Sequence, residues 1–245
     1  MIRFKLTIEY DGTDFVGWQR QKNGLGVQQV LEEAVTAFCG ETVNAFAAGR
    51  TDTGVHALGQ VAHVDLEKET DAETVRDALN YHMRPHRIVV IESESVSEEF
   101  HARFSAKERI YHYKIINRRS PLALHQNRAF WVSVPLDASA MHEAAQVLVG
   151  KHDFTSFRAV ACQADSPEKT LNALDVMRDG EIVTITARAR SFLHHQVRNM
   201  VGTLKLVGEG KWRAKDVEDA LAARDRSAAG MNVPPEGLYF QEVIY

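Results

Sequence analysis

The sequence predicts an α+β protein built from two ferredoxin-like halves, each running β-α-β-β-α-β with an antiparallel sheet and helices on one face. Two observations carry this reading. Segments with the period-2 alternation of half-buried strands are interleaved with segments whose apolar residues recur at helical spacing. The same order of segments is then written twice along the chain, dividing it into residues 1–104 and 105–245.

The first half opens with IRFKLTIE, where Ile2, Phe4, Leu6 and Ile8 face one way and Arg3, Lys5, Thr7 and Glu9 the other. A glycine-bearing loop over residues 11–26 leads to a helix over 28–39. Its Val30, Leu31, Ala34, Val35 and Phe38 form one stripe, and Gly40 terminates it. Short strands are expected near 44–48 and 59–65. Thr70 and Glu73 have the spacing of a capping box, opening a helix that turns Val75, Leu79 and Met83 inward. RIVVIES, residues 87–93, supplies the closing strand.

In the second half RIYHYKIIN, residues 109–117, is the first strand, with a short extra strand near 127–132. Asp137 is the expected cap of a helix that Gly150 ends. Strands over 169–177 and 181–190 precede a helix over 192–207, with Phe192, Val197, Met200, Val201, Leu204 and Val207 inward. A short helix over 214–223 and a final strand, LYFQEVIY, complete this half. The topology serves many functions, so function has to come from particular residues. Its open sheet face is a surface on which such folds commonly bind RNA.

At 245 residues, 44% apolar and 25% charged, the chain has the composition of a soluble globular protein with an ample core. No apolar run approaches the roughly 20 residues that cross a bilayer, and the alternating start lacks the apolar stretch of a secretory signal. Cys39 and Cys162 form no CxxC pair, so neither a disulfide framework nor a zinc site is indicated, and a reduced, cytoplasmic setting is expected. The net charge of −4 is segregated. Arg103, Lys107, Arg109, Lys114, Arg118, Arg119 and Arg128 face only Glu108 within residues 101–128, whereas residues 65–77 carry six acids against Lys68 and Arg76. That basic stretch is either a nucleic-acid surface or a solvated edge strand.

Four stretches could carry chemistry. In AAGRTDTGVHA, residues 47–57, Gly49 and Gly54 frame Arg50, Thr51, Asp52 and Thr53, with His56 beyond. Asp52 is either an Asx turn or a carboxylate that Arg50 holds ionised for nucleophilic or electrostatic work. No second carboxylate stands in the motif, so two-carboxylate hydrolysis is not indicated. Tyr111 and Tyr113 share one face of the basic strand, as core packing or as a platform for a flat base. In RARSFLHHQVRN, residues 188–199, Arg188 and Arg190 point away from the apolar strand face. Ser191 is read as the start of a helix with His194 and Arg198 on one side, suited to phosphates or a carboxylate. Adjacent His194 and His195 would diverge on that helix, and no HExxH is present, which argues against a metal. The loop EYDGTDFVGWQRQ, residues 9–21, holds Gly12, Gly17 and Trp18 but neither GxGxxG nor a P-loop.

EYDGTDFVGWQRQ, VQQVLEEA, AGRTDTGVHALGQVAHV, FSAKERIYHYKI, HDFTSFRA and FLHHQVRNMVGTL occur in this order. Together they resemble the tRNA pseudouridine synthase family that acts on the anticodon stem-loop, over a span from about Tyr10 to Tyr245. CQADSP, residues 162–167, is similar to the bacterial members; Gly26 replaces the family's common threonine before VQ. The resemblance implies two related halves with joined sheets and a catalytic cleft, working as a homodimer. It implies isomerisation of uridine to pseudouridine at tRNA positions 38, 39 and 40, with no metal or organic cofactor. Asp52 falls on the family's catalytic aspartate and Tyr111 on its uridine-contacting tyrosine. Arg50 matches the arginine beside that aspartate, and Arg198 a basic residue of the cleft. A non-catalytic RNA-binding module is the rival reading, but it leaves Gly49-Arg50-Thr51-Asp52 without a task.

Overall fold

A computed structural model describes residues 1–245 and divides them into two compact units, Met1–Lys107 with Tyr239–Tyr245, and Glu108–Leu238. Both are mixed α+β with mostly antiparallel sheets, and the chain carries five α-helices. In the first unit β1 (Ile2–Tyr10) lies between β3 (His56–Leu66) and β4 (Ile88–Val96), antiparallel to both. The two-residue β2 (Phe46–Ala47) pairs antiparallel with β3 at His63 and Ala62. The last strand, β10 (Leu238–Ile244), runs parallel to β3, with Tyr239 and Phe240 opposite His56 and Ala57. The Lys107 N–H also donates to the Ile244 carbonyl, at 2.8 Å. The final segment therefore belongs with the first unit, not with the second half to which sequence order assigns it; strand pairing overrides chain order.

The first core forms where the two periodicities meet. Phe4, Leu6 and Ile8 are fully buried, as alternation requires, together with Val30, Leu31, Ala34 and Val35 of α1 (Val27–Cys39) and Val75 and Leu79 of α2 (Ala72–His82). Gly40 ends α1 with φ 78°. The cap of α2 is Asp71 rather than Thr70, since the Asp71 carboxylate accepts from the Thr74 N–H at 2.8 Å. The opposite sheet face is covered. Arg3 grips Asp65 through two 2.7 Å bonds, and Lys5 pairs with Glu94. His63 lies buried under the Phe46 ring, beside His101, and its Nδ1 accepts from the Ala102 N–H at 3.2 Å.

In the second unit the sheet order is β6-β5-β9-β8-β7. It comprises β5 (Glu108–Asn117), β6 (Phe130–Val132), β7 (Gly150–Asp153), β8 (Glu168–Asp179) and β9 (Ile182–Ala189), all antiparallel except β5 with β6. Three helices, α3 (Ala138–Ala145), α4 (Gln196–Gly208) and α5 (Ala214–Ala223), accompany it. Asp137 caps α3 as expected, accepting from the Ala140 N–H. The strand β7 has no sequence signal, because GKHD lacks an apolar alternation. The helix α4 starts at Gln196, not near 192, because His195 adopts a left-handed conformation (φ 63°, ψ 5°) that stops helical propagation upstream. Its polar residues Gln196, Arg198, Asn199 and Thr203 are buried along with its apolar stripe. The segment 226–233 crosses that polar side, and a Cβ on Gly202 would stand 1.8 Å from the Met231 carbonyl oxygen. Thr203 Oγ1 accepts from the Gly230 N–H, and Asn199 Oδ1 accepts from Arg226.

His63 makes the first unit sensitive to acid. Burial, with Arg3 and His101 adjacent, pushes its pKa from 6.5 down to about 4. The unfolded chain therefore takes up this proton first as pH falls, so the contribution is intact above about pH 6.5 and is lost toward pH 4. The denaturation midpoint should fall between pH 7.5 and pH 5, and His63→Gln should shrink that fall. An undiminished fall in the variant would assign the effect to other groups.

Candidate active site

Asp52 sits on the loop that enters β3, and backbone hydrogen bonds clamp that loop. Gly17 and Asp52 form an isolated antiparallel bridge, and the Trp18 N–H donates to the Thr51 carbonyl at 3.0 Å. The Val55 N–H closes a turn onto the Asp52 carbonyl at 3.1 Å, and Thr53 Oγ1 donates to the Val16 carbonyl at 3.0 Å. This approach needs glycine at position 17: its φ is 105°, and a Cβ there would lie 2.4 Å from the Thr51 carbonyl oxygen. The carbonyls of Gly17 and Trp18 accept the N–H groups of Val27 and Gln28, which begin α1 and lack intrahelical partners. One dipeptide thus holds the helix on one side and the Asp52 loop on the other.

Side chains beneath the loop complete the clamp. Tyr10, the last inward residue of β1, is buried, and its hydroxyl shares a 2.7 Å hydrogen bond with Thr51 Oγ1. Burial pushes the Tyr10 phenol up to about 12, so it stays protonated through the working range. Gln60 donates to the Gly49 carbonyl at 2.7 Å. His56 Nδ1 accepts from the Gly12 N–H at 3.0 Å, while its ring stacks on Tyr239 at 4.8 Å. Asp11, 3.3 Å from the same nitrogen, is paired with Arg87. Tyr10, Thr51, Gln60 and Gly17 support the site; all four lie in the stretches quoted from the sequence, but nothing there assigns them this support. Only the alternation Phe4, Leu6, Ile8, Tyr10 hints that Tyr10 points inward.

Arg50 does not hold Asp52 as the sequence reading expects. Its side chain is exposed and makes no ion pair. Thr51 points inward to Tyr10, which leaves its neighbours on the other side; Asp52 is half-buried there while the long Arg50 side chain runs to solvent.

Tyr111 and Arg198 belong to the second unit. Tyr111 lies on β5, nearly buried, with its ring edge-on to Phe192 at 5.2 Å. Tyr113 is a core residue, not part of a platform: it is fully buried, and its hydroxyl donates to the Pro234 carbonyl at 2.7 Å. Arg198 is buried on the first turn of α4 and donates through Nε to the Val233 carbonyl at 2.8 Å. His194 and His195 do not diverge on a helix; they occupy the turn before it with rings 4.0 Å apart. Several basic side chains are already matched. Arg118 pairs with Glu181 at 2.8 Å, Arg188 with Glu108 at 2.7 Å, and Arg109 donates to the Arg190 carbonyl.

Over residues 6–105 and 144–245 the chain matches the model of a family described as tRNA pseudouridine synthase. A protein of Rhodospirillum centenum named tRNA pseudouridine synthase A is 63% identical over 245 residues, covering the whole of both chains. Its namesake in Parvibaculum lavamentivorans is 58% identical over the same full span. That of Paramagnetospirillum magneticum is 61% identical, with all of this chain and 96% of the relative aligned. The two mixed α+β units and the clamped aspartate loop are therefore those of an RNA-modifying enzyme class. The chain belongs to the tRNA pseudouridine synthase family.

The clamp makes Gly17 a sensitive position. Gly17→Ala should destabilise the protein by about 2 kcal/mol or more, since strain at positive φ adds to a backbone clash. Chemical denaturation measures this; a change within about 0.5 kcal/mol would show that the loop relaxes freely.

Proposed function

We propose that this chain isomerises uridine to pseudouridine at positions 38, 39 and 40 of the tRNA anticodon stem and loop, with Asp52 as nucleophile. The reading is carried by the half-buried Asp52 carboxylate, held on a backbone-clamped loop in a chain matched over its full length by tRNA pseudouridine synthases. The target base leaves its stack, at a cost of a few kcal/mol. Asp52 then attacks ribose C1′; the C1′–O bond forms as the C1′–N1 bond breaks, and uracil departs carrying the electron pair. After the base turns over, C5 attacks C1′ and displaces the carboxylate. N1 takes up one proton and C5 releases one, so the reaction is balanced without redox change or hydrolysis and calls for no cofactor.

Tyr111 contacts the uridine in this reading, with its ring braced by Phe192. Arg50, exposed and unpaired, serves the RNA backbone, and Arg198 adds positive charge from a guanidinium oriented by the Val233 carbonyl. Each unit is a variant of the β-α-β-β-α-β plan; the β4-β1-β3 order with β2 on β3 supports this in the first. The enzyme works as a homodimer in the cytoplasm, where its tRNA substrate is found.

The direct test uses tRNA transcripts carrying tritium at uridine C5, because only isomerisation releases that label. Asp52→Asn and Asp52→Ala should lower release by about a thousandfold or more while changing tRNA affinity by less than about twofold. Substantial turnover by Asp52→Ala would overturn the mechanism. Binding without release by the wild-type protein would favour the RNA-binding module.

Tyr111 can be separated into ring and hydroxyl. Tyr111→Ala should impair both binding and turnover, while Tyr111→Phe should keep binding and lose turnover only if the hydroxyl relays the C5 proton. Near-normal rates for both variants would make Tyr111 a packing residue.

A further inference from the structure

Two of the cations singled out in the sequence, Arg118 and Arg188, are ion-paired in the fold, which raises the question of where cations remain available. Arg118 is tied to Glu181 and to the carbonyls of Ser120 and Pro121. Arg188 gives both Nε and Nη2 to Glu108, whose other oxygen accepts from Asn172 at 2.6 Å. Arg190, two residues along the same strand direction, is different: its guanidinium is exposed and has neither ion pair nor hydrogen bond. It stands at a polar groove of about 240 Å³ lined also by Lys151, Glu168, Lys169, Thr170 and Ser191, all within the second unit.

We propose that this groove is a phosphodiester subsite, which holds the substrate's RNA backbone away from the reacting nucleoside. The inference rests on the tRNA reading above. Three cations face one carboxylate here, so the local charge suits a phosphate although the chain carries −4. The one internal ion pair, Lys151 to Glu168 at 3.2 Å, joins side chains that are 69% and 58% exposed. Such a solvated pair is worth about 0–1 kcal/mol, so a phosphate can take over the lysine at little cost. Lys169 spends one N–H on the Ser166 carbonyl and keeps the rest of its ammonium donors. Thr170 and Ser191 add hydroxyl donors, and Arg190 supplies a planar fork matched to phosphate oxygens. No aromatic ring lines the groove, so it offers a base nothing to stack on; its chemistry fits the sugar-phosphate chain alone.

The test compares the full-length wild-type protein with Arg190→Gln, Lys151→Gln and the double variant on a tRNA transcript from 50 to 200 mM KCl. The double variant should raise KM roughly three- to tenfold at low salt and leave kcat within about twofold. The log–log salt dependence should flatten by roughly 0.7–0.9 for each phosphate that the variant no longer neutralises. Thermal midpoints should match, because both side chains are exposed. Unchanged KM and salt slope beside normal wild-type turnover would overturn the groove while leaving the enzymatic reading intact. A wild type that releases no tritium would instead overturn the reading on which the groove rests. A fall in kcat together with the thermal midpoint would mark a structural role and also overturn the subsite. Protection of the wild type, but not the double variant, from heat by inorganic phosphate at constant ionic strength, beside an unchanged KM and salt slope for tRNA, would assign the groove to a free anion rather than to RNA.

Discussion

The first unit depends on the place where the backbone of Gly17 and Trp18 runs against that of Thr51 and Asp52. A peptide segment buried in this way must satisfy both its N–H and C=O groups. Here the carbonyls are taken by the open N-terminus of α1 and the Trp18 N–H by Thr51. Helix position and aspartate position are thereby set by the same two residues, so neither can shift without leaving buried backbone groups unpaired. Trp18 is 3% exposed and tilts against Tyr10, at a centroid distance of 6.4 Å. That packing sits directly behind the hydrogen bond between Tyr10 and Thr51. The hydrophobic core of the unit and the support of its carboxylate are one structure.

The second unit solves a different problem. The helix α4 is buried on nearly all sides, yet it carries Arg198, Asn199 and Thr203, whose desolvation is costly unless each is bonded. The irregular segment after α5 supplies the partners: a carbonyl for Arg198, a backbone N–H for Thr203 and a guanidinium for Asn199. Gly202 lets that segment approach closely. A stretch with little regular structure is thus held by side-chain bonds as firmly as a strand would be by a ladder.

How much of this is legible in the sequence depends on the range of the interaction. The buried faces of β1, α1 and α2 follow from local periodicity, and α5 and the cap of α3 from adjacent residues. Asp52, Tyr111, Arg50 and Arg198 stand out through motif and resemblance. The rest depends on residues distant in sequence. Nothing near LYFQEVIY says that it will pair with β3, far earlier in the chain. The neutralisation of Arg118 and Arg188 requires Glu181 and Glu108 to come from elsewhere in the sheet. The left-handed His195 defeats the helical reading of residues 192–195, because a single non-glycine residue at positive φ leaves no periodic trace. The clamp under Asp52 is hidden for the same reason: Tyr10 and Thr51 lie 41 positions apart, and each looks ordinary alone.

These constraints also say what keeps Asp52 in place. A carboxylate that reacts as proposed for Asp52 has to stand within about 0.5 Å of its productive position, and groups on mobile loops seldom do. A partner such as Arg50 could orient it, but a long exposed guanidinium loses conformational freedom when it is held and is screened by water. Backbone hydrogen bonds carry neither burden, because the chain supplying them is already ordered by the helix and strand on either side. Tyr10 contributes through a neutral hydroxyl that burial keeps protonated, so the support does not change as pH varies around neutrality. Tyr10, Thr51 and the backbone of Gly17 and Trp18 therefore hold the loop through groups that stay uncharged around neutrality, and the side chain that turns the other way is the Asp52 carboxylate.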